Sequence, residues 1–108
     1  IDLLLLGMGP DGHVASLFPG AAEIDERRRL AVPVHRPDLP QPWRVSLTMP
    51  VLNAARRTLL MVSGADKAAA AARAIAGDPD LPAGRLRRDP STTWLLTADA
   101  AAGVDVRG

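Results

Sequence analysis

The 108-residue chain contains no cysteine. Disulfides, thiolate nucleophiles and cysteine-ligated zinc are therefore excluded. The absence fits a reducing compartment, and a cytoplasmic location is the expectation. Histidine is also scarce. His13 and His35 are the two present, too few for a histidine-rich metal site, so no metal is expected. No apolar run approaches the roughly 20 residues of a membrane span, and no basic-then-apolar signal segment is visible. The formal net charge is +1, which gives no electrostatic case for nucleic acid or an anionic membrane. Lysine is nearly missing as well, with twelve Arg against the single Lys67. Chemistry must come from one histidine, carboxylates, arginines or that lysine.

What is present is apolar enough to fold. Apolar residues make up 47% of the chain, and the length suits one small domain. The chain has no initiator Met and opens on residues that read as a buried strand. The expectation is that residues 1–108 are the C-terminal portion of a single, longer domain. No pattern sets an oligomeric state.

The apolar run from Asp2 to Leu6 predicts a strand buried on both faces, as in a parallel sheet. Gly7 to Gly12 must turn. His13 to Phe18 reads as a short helix stopped by Pro19 and Gly20. Ala21 to Leu30 ends in Arg27, Arg28 and Arg29, read as a solvated helix face. Pro33, Pro37, Pro40 and Pro42 mark an extended loop. Arg44 to Met49 alternates as a half-buried strand, and Pro50 starts a short helix through Arg56. Thr58 to Ser63 predicts a buried strand. Ala65 to Ala76 predicts a helix closed by Gly77. Thr93 to Thr97 predicts a last strand, and Asp99 to Ala102 a terminal helix. The alternation implies an α/β fold of three layers, with a mainly parallel sheet and flanking helices.

Gly7, Gly9 and Gly12 spell G-x-G-x-x-G directly after the first strand. A dinucleotide loop would also need a full helix, a following strand and an acid about 20 residues on. Here the helix meets Pro19-Gly20, and Glu23 and Asp25 come too early. The residues between the glycines offer another use. The loop leaves a strand at its carboxyl end, where open α/β sheets place ligands. His13 would emerge at a helix start, where the dipole disfavours imidazolium and leaves a neutral base. Asp11 is near enough to orient it. Taken alone, His13 reads equally well as a polar helix-start residue.

Two cations suit a phosphate. Lys67 falls in the first turn of the alanine-rich helix, where the dipole opposes a cation by about 0.3–1 kcal/mol. An anion bound there reverses that sign. Arg44 opens its strand, and its fork can grip phosphate twice. An exposed lysine and a solvent-facing arginine are the plainer readings. His35 is expected in solvent. Ser16 and Ser63 lack a G-x-S-x-G elbow. Trp43 and Trp94 read as packing residues, and Asn53 as part of a helix.

GMGPDGHVASLFPG resembles the central motif of the 6-phosphogluconolactonases. The similarity continues in WRVSLTMPVLNAAR from Trp43, VSGADKAAA from Val62, GDPDLPAGRL and TTWLLTADAA. It covers nearly the whole chain in order. The sister glucosamine-6-phosphate deaminases share D-G-H but usually follow it with alanine, phenylalanine, asparagine and glutamate. Here Ala15, Ser16, Leu17 and Phe18 stand there. The resemblance implies a phosphosugar isomerase-like, Rossmann-like fold. It implies hydrolysis of 6-phospho-D-glucono-1,5-lactone to 6-phospho-D-gluconate, without a cofactor. His13 would activate water with Asp11 orienting it. Gly9 and Gly12 would lie at the substrate, with backbone N–H groups for the oxyanion. Arg44 and Lys67 would hold the phosphate. Members of that family are roughly twice this length. The half absent here would carry a serine- and glycine-rich phosphate loop and an arginine that helps in catalysis, so the isolated chain is expected to be inactive. Two rival functions remain: an amino-sugar phosphate deaminase, and a non-catalytic phosphosugar-binding or purely structural module.

Overall fold

The structure is a computed structural model that describes residues 1–87 and 91–104. Three strands form a parallel sheet: β1 (Leu3–Gly7), β4 (Arg57–Val62) and β5 (Thr92–Leu96), in the order β1-β4-β5. Between β1 and β4 the chain makes an antiparallel hairpin of β2 (Ala31–His35) and β3 (Trp43–Leu47). Helix α1 (Met49–Asn53) follows the hairpin, and α2 (Ala68–Ile75) links β4 to β5.

Alternation within each parallel strand decides which face is buried. Leu4 and Leu6 of β1, Leu60 and Val62 of β4, and Trp94 and Leu96 of β5 join one core with Leu52 of α1 and Ala70, Ala71 and Ala74 of α2. The alanines let α2 lie close to the sheet. The other face is bare among the described residues. Leu3 is 57% exposed, Leu5 55%, Met61 45% and Leu95 59%. Expected burial on both faces of the first strand is therefore not seen; the α/β class with a parallel sheet is. β1 is also an edge strand, as is β5, and β4 is the central one.

Three expected helices are absent. Residues 14–17 form a tight turn, bridged between Val14 and Leu17, with Leu17 N–H donating to Val14 O at 2.9 Å. Ala15 takes φ +50° there, which no right-handed helix tolerates. The arginine triplet follows a single 3-10 turn, Ala22–Asp25. The region around Asp99 to Ala102 is turn. The proline-rich loop is shorter than expected, because Pro33 lies within β2. It pairs with Val45 in a two-stranded ribbon, where a missing N–H is tolerated at an edge. Helix Ala65 to Ala76 divides into a 3-10 turn, Ala65–Lys67, and α2. Gly77 closes it at φ +85°, as a C-terminal glycine should.

Candidate active site

β1 and β4 are parallel neighbours with Gly7 level with Met61. Their carboxyl ends therefore lie side by side, and so do the loops that follow them. The loop after β1 carries His13, and the loop after β4 carries Lys67. Both side chains line one open cleft of about 610 Å³, with Gly7, Gly9, Pro10 and Ala15.

His13 is held by Asp11. Its Nδ1 lies 2.6 Å from Asp11 Oδ1, and its backbone N–H donates to the same oxygen at 3.1 Å. A carboxylate on Nδ1 fixes the tautomer with the proton there and leaves Nε2 as the basic nitrogen. Partial burial works to raise the Asp11 carboxyl. The hydrogen bonds and charge of His13 outweigh it and hold that group below the usual carboxylate range. Asp11 is thus ionised at neutral pH. The orientation expected from Asp11 is found. The helix dipole expected to keep His13 neutral is not, since no helix begins there; the carboxylate sets the geometry instead.

The glycines shape the loop. A methyl on Gly9 would overlap His13 Cε1 and Nδ1 and come within 2.9 Å of Asp11 Oδ1. The imidazole lies directly on the Gly9 backbone. Gly12 takes φ +86°, and Leu81 Cβ would stand 3.0 Å from any added carbon. Both glycines are buried. Gly9 N–H donates to His13 O at 3.0 Å, and Gly12 N–H to Gly9 O at 2.9 Å. These two donors are spent inside the loop, so an oxyanion donor from this turn would have to be another of its N–H groups. Gly12 O accepts from Ala83 N–H at 3.0 Å. The segment Gly77 to Leu86 thereby supports the turn that presents His13.

Lys67 caps the start of α2 and is half-buried. Its Nζ donates to Ser63 O at 3.1 Å, which holds the ammonium at the end of β4. Arg44 does not line this cleft. It lies on the inner face of β3, two residues before buried Ser46, and its Nε donates to Gln41 O at 3.2 Å. Ser46 Oγ accepts from Ser16 N–H at 3.1 Å, so this strand face touches the turn after His13.

Sequence reasoning missed two neighbours. Phe18 is buried, and its ring centroid is 4.6 Å from that of His13. Arg36 lies over the same ring at 4.1 Å. Contacts across 5 and 18 residues leave no periodic signal in the sequence. Trp43 is 68% exposed and stacks on exposed His35, so it is not the packing residue expected, while Trp94 is. Asn53 belongs to α1 as expected, but the helix stops there and not at Arg56; its side chain donates to Arg85 O at 3.1 Å and accepts from Arg87 N–H at 2.7 Å. Among the described residues no cluster of three or more metal-ligating side chains occurs, and no helix is long and apolar enough to cross a membrane.

Comparison with known proteins bears on this arrangement. Residues 1–94 match the family of glucosamine-6-phosphate isomerases and 6-phosphogluconolactonase. The chain belongs to that family. It is 47% identical over 103 residues to a 6-phosphogluconolactonase of Streptomyces coelicolor, covering 94% of this chain and 40% of that protein. Identity is 46% to the 6-phosphogluconolactonase of Mycobacterium tuberculosis, covering 94% and 42%. The crystal structure of 6-phosphogluconolactonase from Leishmania guyanensis superposes with a TM-score of 0.80 at 33% identity, covering 98% of this chain and 42% of that one. The chain spans about 40% of the length of the curated relatives it matches.

Proposed function

We propose that the chain forms part of an enzyme that hydrolyses 6-phospho-D-glucono-1,5-lactone to 6-phospho-D-gluconate, a step of the oxidative pentose phosphate pathway, with His13 as general base. The observation that carries this reading is the His13–Asp11 pair at 2.6 Å, sharing one cleft with Lys67. Relatives at 46–47% identity bear the name of that activity, which favours the lactone over an amino-sugar phosphate.

The chemistry needs little else. His13 Nε2 takes a proton from water, and the water oxygen bonds to the lactone carbonyl carbon. The tetrahedral intermediate then collapses, breaking the bond from that carbon to the ring oxygen. His13 returns the proton to the departing oxygen, leaving a hydroxyl and a carboxylic acid that ionises. Asp11 stabilises the imidazolium formed between the two steps. Lys67 holds the phosphate at the far end of the substrate, and that binding positions the carbonyl. Arg44 is the second phosphate contact, supported by its place on the strand face that touches the turn after His13.

The test is lactone hydrolysis by the complete protein, wild type beside His13→Ala, with the spontaneous rate subtracted. Loss of a positioned base should cost about 10²–10⁴-fold. A His13→Ala protein with the wild-type rate overturns the mechanism. A wild type that releases ammonia from glucosamine 6-phosphate and leaves the lactone untouched overturns the substrate.

A further inference from the structure

The loop joining β2 to β3 sends one side chain to the back of His13. Arg36 follows directly after β2. Its backbone is fixed at both ends: its N–H donates to Pro42 O at 2.6 Å, and its carbonyl accepts from Leu39 N–H at 3.1 Å. Its guanidinium is fixed as well. Nε donates to Asp38 Oδ1 at 2.9 Å and Nη2 to Asp38 Oδ2 at 2.6 Å. Such a two-pronged grip orients the guanidinium plane and removes most of its rotational freedom.

That plane lies 4.1 Å from the centroid of the Phe18 ring. A cation over an aromatic face is attracted by the ring quadrupole. Phe18 is buried with Val32 and Val34 of the hairpin, and Leu39 packs on the same group. The Phe18 ring in turn rests against His13, with centroids 4.6 Å apart and planes tilted by 38°. His13 is thus held twice. Asp11 grips the imidazole in its plane through Nδ1, and Phe18 limits its tilt. Asp11 and Arg36 line one shallow depression together with Phe18, so the two supports of the imidazole are neighbours.

We propose that Arg36 is a positioning residue for His13, acting through the Phe18 ring. This rests on the reading of His13 as the general base. Arg36 reaches neither the reacting atoms nor the cleft that holds Lys67. Its charge also lies within electrostatic reach of Asp11, and the effect assigned to it is on how often the imidazole occupies its productive angle. A base misplaced by a fraction of an ångström loses rate without losing affinity.

The test uses the complete protein and two readouts. One is kcat and KM for the phosphorylated lactone. The other is the proton–proton Overhauser contact between the Phe18 and His13 rings. Arg36→Ala should lower kcat about three- to tenfold, keep KM within twofold and weaken the ring contact. Phe18→Leu should lower kcat at least as far. The double variant should be no slower than Phe18→Leu alone, because both act through one ring. Arg36→Lys keeps the charge without the planar fork and should fall between wild type and Arg36→Ala. It also serves if the alanine protein folds poorly.

Wild-type kcat with an intact ring contact in Arg36→Ala overturns the proposal. So does a raised KM at unchanged kcat, which marks a substrate contact. A lowered kcat with an unchanged ring contact overturns it too. If the wild type hydrolyses no lactone, the reading of His13 fails, and the ring contact still decides whether Arg36 seats the imidazole.

Discussion

Gly9→Ala is the sharpest perturbation the loop offers. The added methyl would overlap His13 Cε1 and Nδ1 and stand 2.9 Å from Asp11 Oδ1. The backbone has no room to retreat, because Gly9 N–H is bonded to His13 O and Gly9 O to Gly12 N–H. Either the imidazole swings off Asp11 or the loop opens. The first path forfeits a charge-assisted hydrogen bond, about 1.5–3 kcal/mol. The second forfeits two backbone bonds at about 0.5–1.5 kcal/mol each. Both lead to about 1–3 kcal/mol, a fall in Tm of about 2–10 °C for a domain of this class. The rate should suffer more. A general base displaced from its orienting carboxylate should cost about 10²-fold or more in kcat. Thermal melts and lactone kinetics on the complete protein read both effects. Gly7→Ala is the control for stability, since no heavy atom lies within 4 Å of an added carbon there. It should melt at or slightly above the wild-type temperature. A Gly9→Ala protein with wild-type Tm and kcat would refute the claim that this glycine exists to seat the imidazole.

Three further outcomes follow from the same geometry. Lys67→Met should raise KM for the phosphorylated lactone by about tenfold or more, and leave hydrolysis of the unphosphorylated lactone unchanged. Equal effects on both substrates would remove Lys67 from the phosphate. Ala15→Gly should be neutral or stabilising in chemical denaturation, because φ +50° strains an alanine by about 1–3 kcal/mol while glycine costs about 0.5–1 kcal/mol in entropy. A destabilised Ala15→Gly protein would contradict that backbone assignment. Asp11 bears on acid stability. Its folded-state carboxyl lies below the ordinary 3.8, so its stabilising contribution is complete above that pH and is lost as pH falls through the depressed value. The loss of unfolding free energy between pH 5 and pH 3 should be smaller in Asp11→Asn than in wild type. An equal loss would uncouple Asp11 from the fold.

Much of the fold was legible because strands of a parallel sheet carry dense apolar runs and glycine punctuates their ends. Leu3–Gly7, Arg57–Val62 and Thr92–Leu96 each lie within a residue of where the apolar pattern puts them. Residues 14–17 were misread for a physical reason. Val14, Leu17 and Phe18 are spaced as on a helix, and nothing local reveals that Ala15 turns left-handed. The turn is imposed from outside, by Ser46 bonding Ser16 and by the burial of Leu17 and Phe18. Pro33 was misread because proline counts as a loop signal unless the strand is an edge. The Asp11–His13 pair was legible, since the two residues are two apart in the chain. The supports from Arg36, Ser46 and Leu81 were not, because they arrive from distant segments through packing alone.

The bare sheet face explains why a well-formed pair sits in so open a cleft. Leu5 and Gly7 belong to both: Leu5 faces the uncovered side, and both residues line the cleft beside His13. Any layer that covered Leu3, Leu5, Met61 and Leu95 would therefore reach the rim of the cleft. A layer there would bury four large apolar side chains, each worth about 1.5–3 kcal/mol when fully removed from water. The same layer would wall the cleft and exclude bulk water, which strengthens every charge interaction within it. Covering the sheet and closing the cleft would then be one structural event, while the Asp11–His13 pair and its glycine seat are complete without it.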